Sequence, residues 1–391
     1  MMINFINSCI NITDLLTNSL KAINMKHFIL SLLLLLVATQ AFAQKDITRL
    51  DSIMSSIYAN DSPGAAIAVV KNGKVVFKKG YGIADLDSKK PITSSTNFNI
   101  CSMTKQFTAY SILKLASEKK LSLDDKIDKF FPDFNSKVGG IVTIHHLLTH
   151  SSGIVDHYNY VDKTLFKEFW DKDVLNAIKS VDSVYFPTGS RYQYSNTAFC
   201  LLSQIIERVS GYSFPEYIKE YIFKPLKMNH SDVIRPDFKI SERALGYEFE
   251  NGGFKISDAR ESLFFSTMGD GGIYTSIDDY LKWIMAIQNR VVLNSSIIKE
   301  AQSAQFPIST TRNISYGYGW FVAGSGDNKI VYHPGSNGGF RTIIVMIPSK
   351  KYSVVIFSNR TGIDLEDLVH EINKIFKIDD NAYVKLETLI S

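Results

Sequence analysis

Apolar residues along the chain gather in β-rich runs near both ends and fall at helical spacing between them. Ile47 to Tyr58 has apolar residues at helical spacing, so a helix is expected there. Gly64 to Val70 and Lys74 to Gly80 are β-rich runs joined by Asn72-Gly73, a pair suited to the left-handed backbone of a tight hairpin. Ser102 to Ser117 reads as one long, mostly apolar helix, and Leu121 to Phe131 as a loop with a short helix. From Thr143 to Asn289 helical spacing dominates, in IHHLLTH, KEFWDKDVLNAI, TAFCLLSQIIERV and DDYLKWIMAI. Strand-like runs return in YGYGWFV, KIVYHP, RTIIVMIP and YSVVIFSN, and a helix over Leu365 to Phe376 closes the pattern. Residues 379–391 read as an appendage.

β-rich ends around an α-rich middle are expected to join in one antiparallel sheet covered by the terminal helices, with the middle forming a separate helical lobe. That is an α/β architecture of the α+β type, and a cleft between lobes is the favoured place for a ligand.

The start of the chain carries a different signal. Phe28 to Val37, FILSLLLLLV, follows Lys26-His27 and precedes Ala41-Phe42-Ala43. A basic start, a short apolar core and a small-x-small site are expected of a secretory signal peptide, here 25–43. The run is shorter than the roughly 20 apolar residues a bilayer span needs, so no stable membrane anchor is expected. Met25 reads as the start codon, which leaves 1–24 outside the product; residues 44–378 read as one domain, exported to the periplasm or medium.

Of 391 residues, 45% are hydrophobic and 21% charged, ordinary values for a globular protein. Forty-three Lys+Arg against 39 Asp+Glu give a net charge of +4 without basic blocks, so nucleic acid is not an expected partner. Cys101 and Cys200 lie in the mature segment. Two cysteines make no disulfide framework, and buried free thiols are the expectation.

Three short motifs carry chemistry. In Ser102-Met103-Thr104-Lys105, residues three apart share a helical face, so Lys105 can act as the base that a Ser nucleophile needs, provided burial and the helix N-terminus favour its neutral form. S-x-x-K alone is common by chance. In Tyr194-Ser195-Asn196, Tyr can shuttle a proton and Asn can orient Lys or a substrate amide; a buried Tyr with a capping Asn is the competing reading. In His333-Pro334-Gly335-Ser336, glycine lets a substrate approach the strand and the Ser336 N–H can serve as an oxyanion donor; a plain Pro-Gly turn competes.

Taken in order, Ser102-x-x-Lys105, Tyr194-x-Asn196 and His333-x-Gly335 resemble the serine β-lactamase and penicillin-binding-protein superfamily. The likeness is closer to its class C-type branch of β-lactamases, D-aminopeptidases and esterases. The runs PGAAIAVVKNGKVVFKKGYGIAD, TIHHLLTHSSGI, MGDGGIYTSIDDYLKW and YGYGW extend it over about Ile47 to Ile378. The resemblance implies a β-lactamase/transpeptidase-like fold and an acyl-enzyme on Ser102, with Lys105 and Tyr194 sharing the proton work. Asn196 would hold Lys105 or a substrate amide, and the amides of Ser102 and Ser336 would bind the oxyanion. No metal or cofactor is implied. One departure counts against efficient β-lactam hydrolysis: many relatives begin the third motif with Lys and a hydroxyl residue, whereas this chain has His333 and Pro334. The expected substrate is a small ester, amide or peptide, cell-wall D-peptides included; the rival is a non-catalytic sensor of peptidoglycan or β-lactams on the same scaffold.

His146 and His150 have zinc-compatible i, i+4 spacing but lack the Glu of H-E-x-x-H, and read as structural. The loop Asp156-His157-Tyr158-Asn159 is read equally as substrate-facing or plain. Tyr81, Tyr316, Tyr318 and Trp320 read as core or cleft wall.

Overall fold

The computed structural model describes residues 44–161, 168–237, 239–258, 266–289 and 292–379. The expected signal at 25–43 and most of the C-terminal appendage lie outside these residues. Two units meet in sequence at Ile53/Met54. In the first, the described residues are helical, part of helix α1 over 44–57. Everything below concerns the second, Met54–Ser391.

Eight strands form one antiparallel sheet among the described residues. They are β1 (Ala65–Lys71), β2 (Lys74–Tyr81), β3 (Phe306–Ser309), β4 (Ile314–Tyr316), β5 (Phe321–Ala323), β6 (Ile330–Asn337), β7 (Phe340–Ile347) and β8 (Tyr352–Ser358). Their order, β3-β4-β5-β6-β7-β8-β1-β2, places the first hairpin beside the last strand, with Ala65 opposite Ser358 and Val70 opposite Ser353. The two β-rich ends thus share a sheet, because β1 is buried along nearly its whole length and needs a neighbour on both edges. At the β1–β2 turn Asn72 and Gly73 have φ of 53° and 73°, left-handed values that Asn and the Cβ-less Gly tolerate.

The run YGYGWFV is not one strand. Gly317 N–H donates to Trp320 O at 2.8 Å and Gly319 takes φ 76°, so the run folds back into the β4–β5 hairpin. The turn passes so close to the start of the helix at Lys105 that a Cβ on Gly319 would lie 2.6 Å from Lys105 O. The middle of the chain is also less purely helical than its spacing suggests. Short strands at Phe98–Asn99, Ile273–Thr275 and Asp232–Val233 make a small sheet, and Tyr247–Glu250 pairs with Gly253–Ile256. Strands of two to four residues hold too few positions for an alternating pattern to emerge.

Helices α2 (Lys105–Ser117), α3 (Ile144–Leu148), α4 (Asp171–Ile178), α5 (Asn196–Ser210) and α6 (Ile277–Asn289) share one core with the inner face of the sheet. The Phe107 ring stacks on Trp283 at 4.3 Å, and Gln106 Oε1 accepts from both Tyr280 OH and Trp283 Nε1, tying α2 to α6. Such an aromatic pair is worth roughly 0.5–1.5 kcal/mol beyond its buried area. On the outer face Tyr352 OH donates to Asn373 Oδ1 of α7 (Leu365–Ile375).

Candidate active site

The first motif does not lie inside one continuous α-helix. Cys101–Thr104 form a 3-10 turn and α2 begins at Lys105. In a 3-10 turn residues i and i+3 eclipse, which brings Lys105 Nζ to 3.2 Å from Ser102 Oγ. Cys101, just before the nucleophile position, is held at φ 52°, a conformation costly for a residue with a Cβ. Asn99 Oδ1 accepts its N–H at 2.6 Å. The Ser102 N–H falls in the first turn and has no intrahelical acceptor, which leaves it available to an anion.

Lys105 is fully buried. Besides Ser102 Oγ, its Nζ donates to Asn196 Oδ1 at 2.9 Å and to Asp270 O at 2.8 Å. Two carbonyl oxygens absorb the two N–H bonds of a neutral amine, and its lone pair then faces the Ser102 hydroxyl. With the amine protonated, the third N–H donates to Ser102 Oγ instead. The same cage suits both states, and they differ by one proton carried across 3.2 Å.

Each carbonyl is placed from behind. Ser195, and not Asn196, caps α5, its hydroxyl accepting Ala198 N–H, so the Asn196 amide is left for Lys105. The Asp270 carbonyl belongs to a loop whose Met268 and Gly269 N–H groups donate to the Asp171 carboxylate, while Thr108 Oγ1 donates to Gly269 O. Burial, then the neighbouring Asp270, pushes Asp171 up to about 7. Cys200 donates to Asp270 Oδ1 at 3.6 Å, and burial raises its thiol well above the usual range. Cys101 and Cys200 are both buried free thiols, as the sequence suggested.

Tyr194 lies with its ring 4.9 Å from Lys105 Nζ, and its hydroxyl is buried without a hydrogen-bond partner among the described residues. His333 is buried and neutral. Its Nδ1–H donates to Pro334 O at 2.7 Å and its Nε2 accepts from Tyr316 OH at 3.0 Å. Burial above all holds the imidazole down at about 3. His333 therefore supplies no cation at neutral pH, and both its nitrogens are occupied.

β5 pairs with β6 only as far as Tyr332, so His333–Asn337 pair with β7 alone among the described residues and leave one edge open. A Pro in a sheet is tolerated where its missing N–H faces such an edge. Ser336, two residues on, then turns its N–H the same way. Gly335 is needed for a reason other than substrate approach: a Cβ there would meet Thr342 Oγ1 at 2.3 Å, Ile100 O at 2.8 Å and Cys101 Cβ at 2.9 Å. The space belongs to the turn that carries Ser102.

Ser102, Tyr194, Asn196, His333, Gly335 and Ser336 all line one cleft of ≈ 680 Å³. Arg341, Asp364 and Glu366 line it too and are not singled out by the sequence, since isolated charges carry no motif. Among the described residues, the histidines of IHHLLTH each go to a different protein partner. His146 Nδ1 closes the capping box of Thr143, His145 Nδ1 meets Tyr318 OH at 2.9 Å, and His150 points elsewhere. His157 is buried against Thr197 Oγ1 instead of facing substrate. Tyr81, Tyr318 and Trp320 are core residues.

Comparison with known proteins gives the family and the fold. The family model described as Beta-lactamase matches residues 47–374. Protein flp of Staphylococcus aureus (strain MW2) is 32% identical over 315 residues, 80% of this chain and 62% of flp, so the chain spans less than two thirds of that relative. Penicillin-binding protein 4* of Bacillus subtilis is 27% identical over 75% of this chain and 67% of its own length. Among solved structures, the octameric penicillin-binding protein homologue from Pyrococcus abyssi superimposes with a TM-score of 0.75 at 29% identity, covering 86% of this chain and 78% of that one.

Proposed function

Because the chain belongs to the Beta-lactamase family, whose members are typically serine hydrolases, we propose that it is a serine hydrolase acylated on Ser102. The observation that carries this reading is the Lys105 cage, with Nζ 3.2 Å from Ser102 Oγ and its remaining hydrogen bonds on Asn196 Oδ1 and Asp270 O. As the substrate carbonyl is attacked, the Ser102 proton passes to Lys105 Nζ. Negative charge grows on the carbonyl oxygen, where the amides of Ser102 and Ser336 receive it. The leaving group takes a proton from Lys105 or Tyr194, and water returned along the same path hydrolyses the ester. Lys105 is the better first base, because the Tyr194 hydroxyl makes no hydrogen bond to Ser102.

The substrate is a small ester, amide or D-residue peptide. A neutral His333 provides no charge for a substrate carboxylate, which disfavours β-lactams that depend on one. The enzyme domain spans 44–378 and is exported after cleavage at Ala43; N-terminal sequencing of the product in the medium or periplasm tests that part. No helix among the described residues is long and apolar enough to cross a membrane.

Intact mass after incubation with a fluorophosphonate tests the chemistry. One adduct on the wild type and none on Ser102→Ala is expected. A folded wild type that stays unlabelled would overturn the reading and favour a non-catalytic sensor.

A further inference from the structure

Behind the Tyr194–Asn196 turn stands a side chain that the reaction itself does not use. His150 ends the turn after α3 at φ 57° and is fully buried. Its backbone oxygen accepts the Gln193 N–H at 2.9 Å, and its Nδ1 accepts the Ser195 N–H at 3.0 Å. One residue thus grips the chain on both sides of Tyr194. A ring nitrogen that accepts from an amide carries no proton, so the neutral imidazole has its hydrogen on Nε2. That Nε2 and the hydroxyls of Tyr192 and Tyr194 are buried without hydrogen-bond partners among the described residues.

The imidazole also forms a floor. Its ring lies 4.3 Å from the Tyr194 ring at 32°, 4.5 Å from Tyr316 and 5.1 Å from Phe199. Tyr194 and Phe199 are the two rings beside Lys105 Nζ, at 4.9 and 5.4 Å. Tyr316 donates to His333. His150 therefore contacts the second motif directly and the rings that adjoin Lys105 and His333, without being among the residues that line the cleft. An orphaned Nε2–H is a cost that packing alone would avoid, since a phenyl ring would fill the same space without it. What a phenyl ring cannot do is accept the Ser195 N–H.

We propose that His150 is a positioning residue of the catalytic centre, which holds the 193–196 turn so that Tyr194 and Asn196 stay registered on Lys105. This rests on the serine-hydrolase reading above. His150 acts through Ser195 N–H and through ring contact, not on substrate.

Two variants separate the parts. His150→Phe keeps a ring and loses the acceptor. His150→Asn keeps an acceptor near Nδ1 and suits the left-handed backbone. Each is checked for folding by circular dichroism, then assayed for fluorophosphonate labelling rate and for kcat and KM on a p-nitrophenyl ester.

His150→Phe is expected to slow labelling and kcat about 10-fold or more while KM stays within ~3-fold, since a small misplacement of reacting groups is costly in rate. His150→Asn is expected to return both to within ~3-fold of the wild type. A Phe variant that labels at the wild-type rate and loses only melting temperature would overturn the proposal, as would an Asn variant no better than Phe. If neither variant folds, long-range 1H–15N NMR of the wild type decides: a proton on Nδ1 of His150 would refute the clamp. An unlabelled wild type overturns the hydrolase reading first, and is distinguished from failure of this proposal by a labelled wild type with an unaffected Phe variant.

Discussion

Lys105 and His333 are both buried bases of the same site, yet the groups around them are opposite in kind. Lys105 Nζ meets three oxygens, two of them carbonyls that only accept hydrogen bonds. His333 meets one carbonyl and one phenol, an acceptor and a donor, which together match a neutral imidazole. Both side chains are buried, and burial holds the His333 imidazole neutral. At equal depth, the polarity of the surrounding groups sets what each side chain can do: acceptor oxygens leave Lys105 facing the Ser102 hydroxyl, whereas one acceptor and one donor lock His333 as a neutral brace. It also explains how a third motif without Lys persists: its imidazole braces the wall and takes no charge.

The comparison is broken most severely at Lys105. Lys105→Ala should lower the rate of fluorophosphonate labelling about 10²–10⁴-fold, the usual worth of a positioned base. Labelling at the wild-type rate would remove Lys105 from the mechanism.

The cage can also be loosened without touching it. Asp171→Ala leaves the Met268 and Gly269 N–H groups unpaired, at about 1–3 kcal/mol each, and frees the loop that carries Asp270 O. Chemical denaturation should show the lost stability, and labelling should slow by ~10-fold for a misplaced acceptor. Lost stability with an unchanged labelling rate would mean that the loop keeps its place without Asp171.

Acid should strike the His333 side of the comparison. Its folded pKa is about 3, below the ordinary 6.5, so its contribution to stability is full above pH 6.5 and is lost as pH falls towards 3. The loss is at most about 1.4 kcal/mol per pH unit for this one group. His150, also held well below its ordinary value by burial and by Lys105, acts in the same direction. Asp171 acts the other way, its contribution present below pH 3.8 and lost as pH rises through about 7. Denaturant midpoints of wild type and His333→Gln from pH 7 to 4 would test this; the variant should lose less on acidification, and parallel curves would contradict it.

The smallest expected effect is at Tyr316→Phe. Removing the donor to His333 Nε2 should cost about 1 kcal/mol at pH 7 and change ester turnover by less than ~3-fold. A large kinetic loss there would show that the His333 wall takes part in the reaction after all.

Much of this architecture was legible from spacing and from local chemistry. The Asn72-Gly73 turn, the apolar β8 and the amphipathic α7 follow from rules that act over a few residues, and so does the three-residue spacing of Ser102 and Lys105. The ordered motifs identified the family and the residues that line the cleft. What the sequence could not supply was every contact made by backbone atoms or by residues far apart. The Asp270 carbonyl has no side-chain signature, the capping role fell to Ser195 and not to Asn196, and the glycine of the third motif serves the Cys101 turn. His150 reads as one more structural histidine until its two acceptors are seen to grip Gln193 and Ser195. Residue types and their periods are written along one dimension, whereas hydrogen-bond partners and the polarity around a buried base exist only once distant segments have packed.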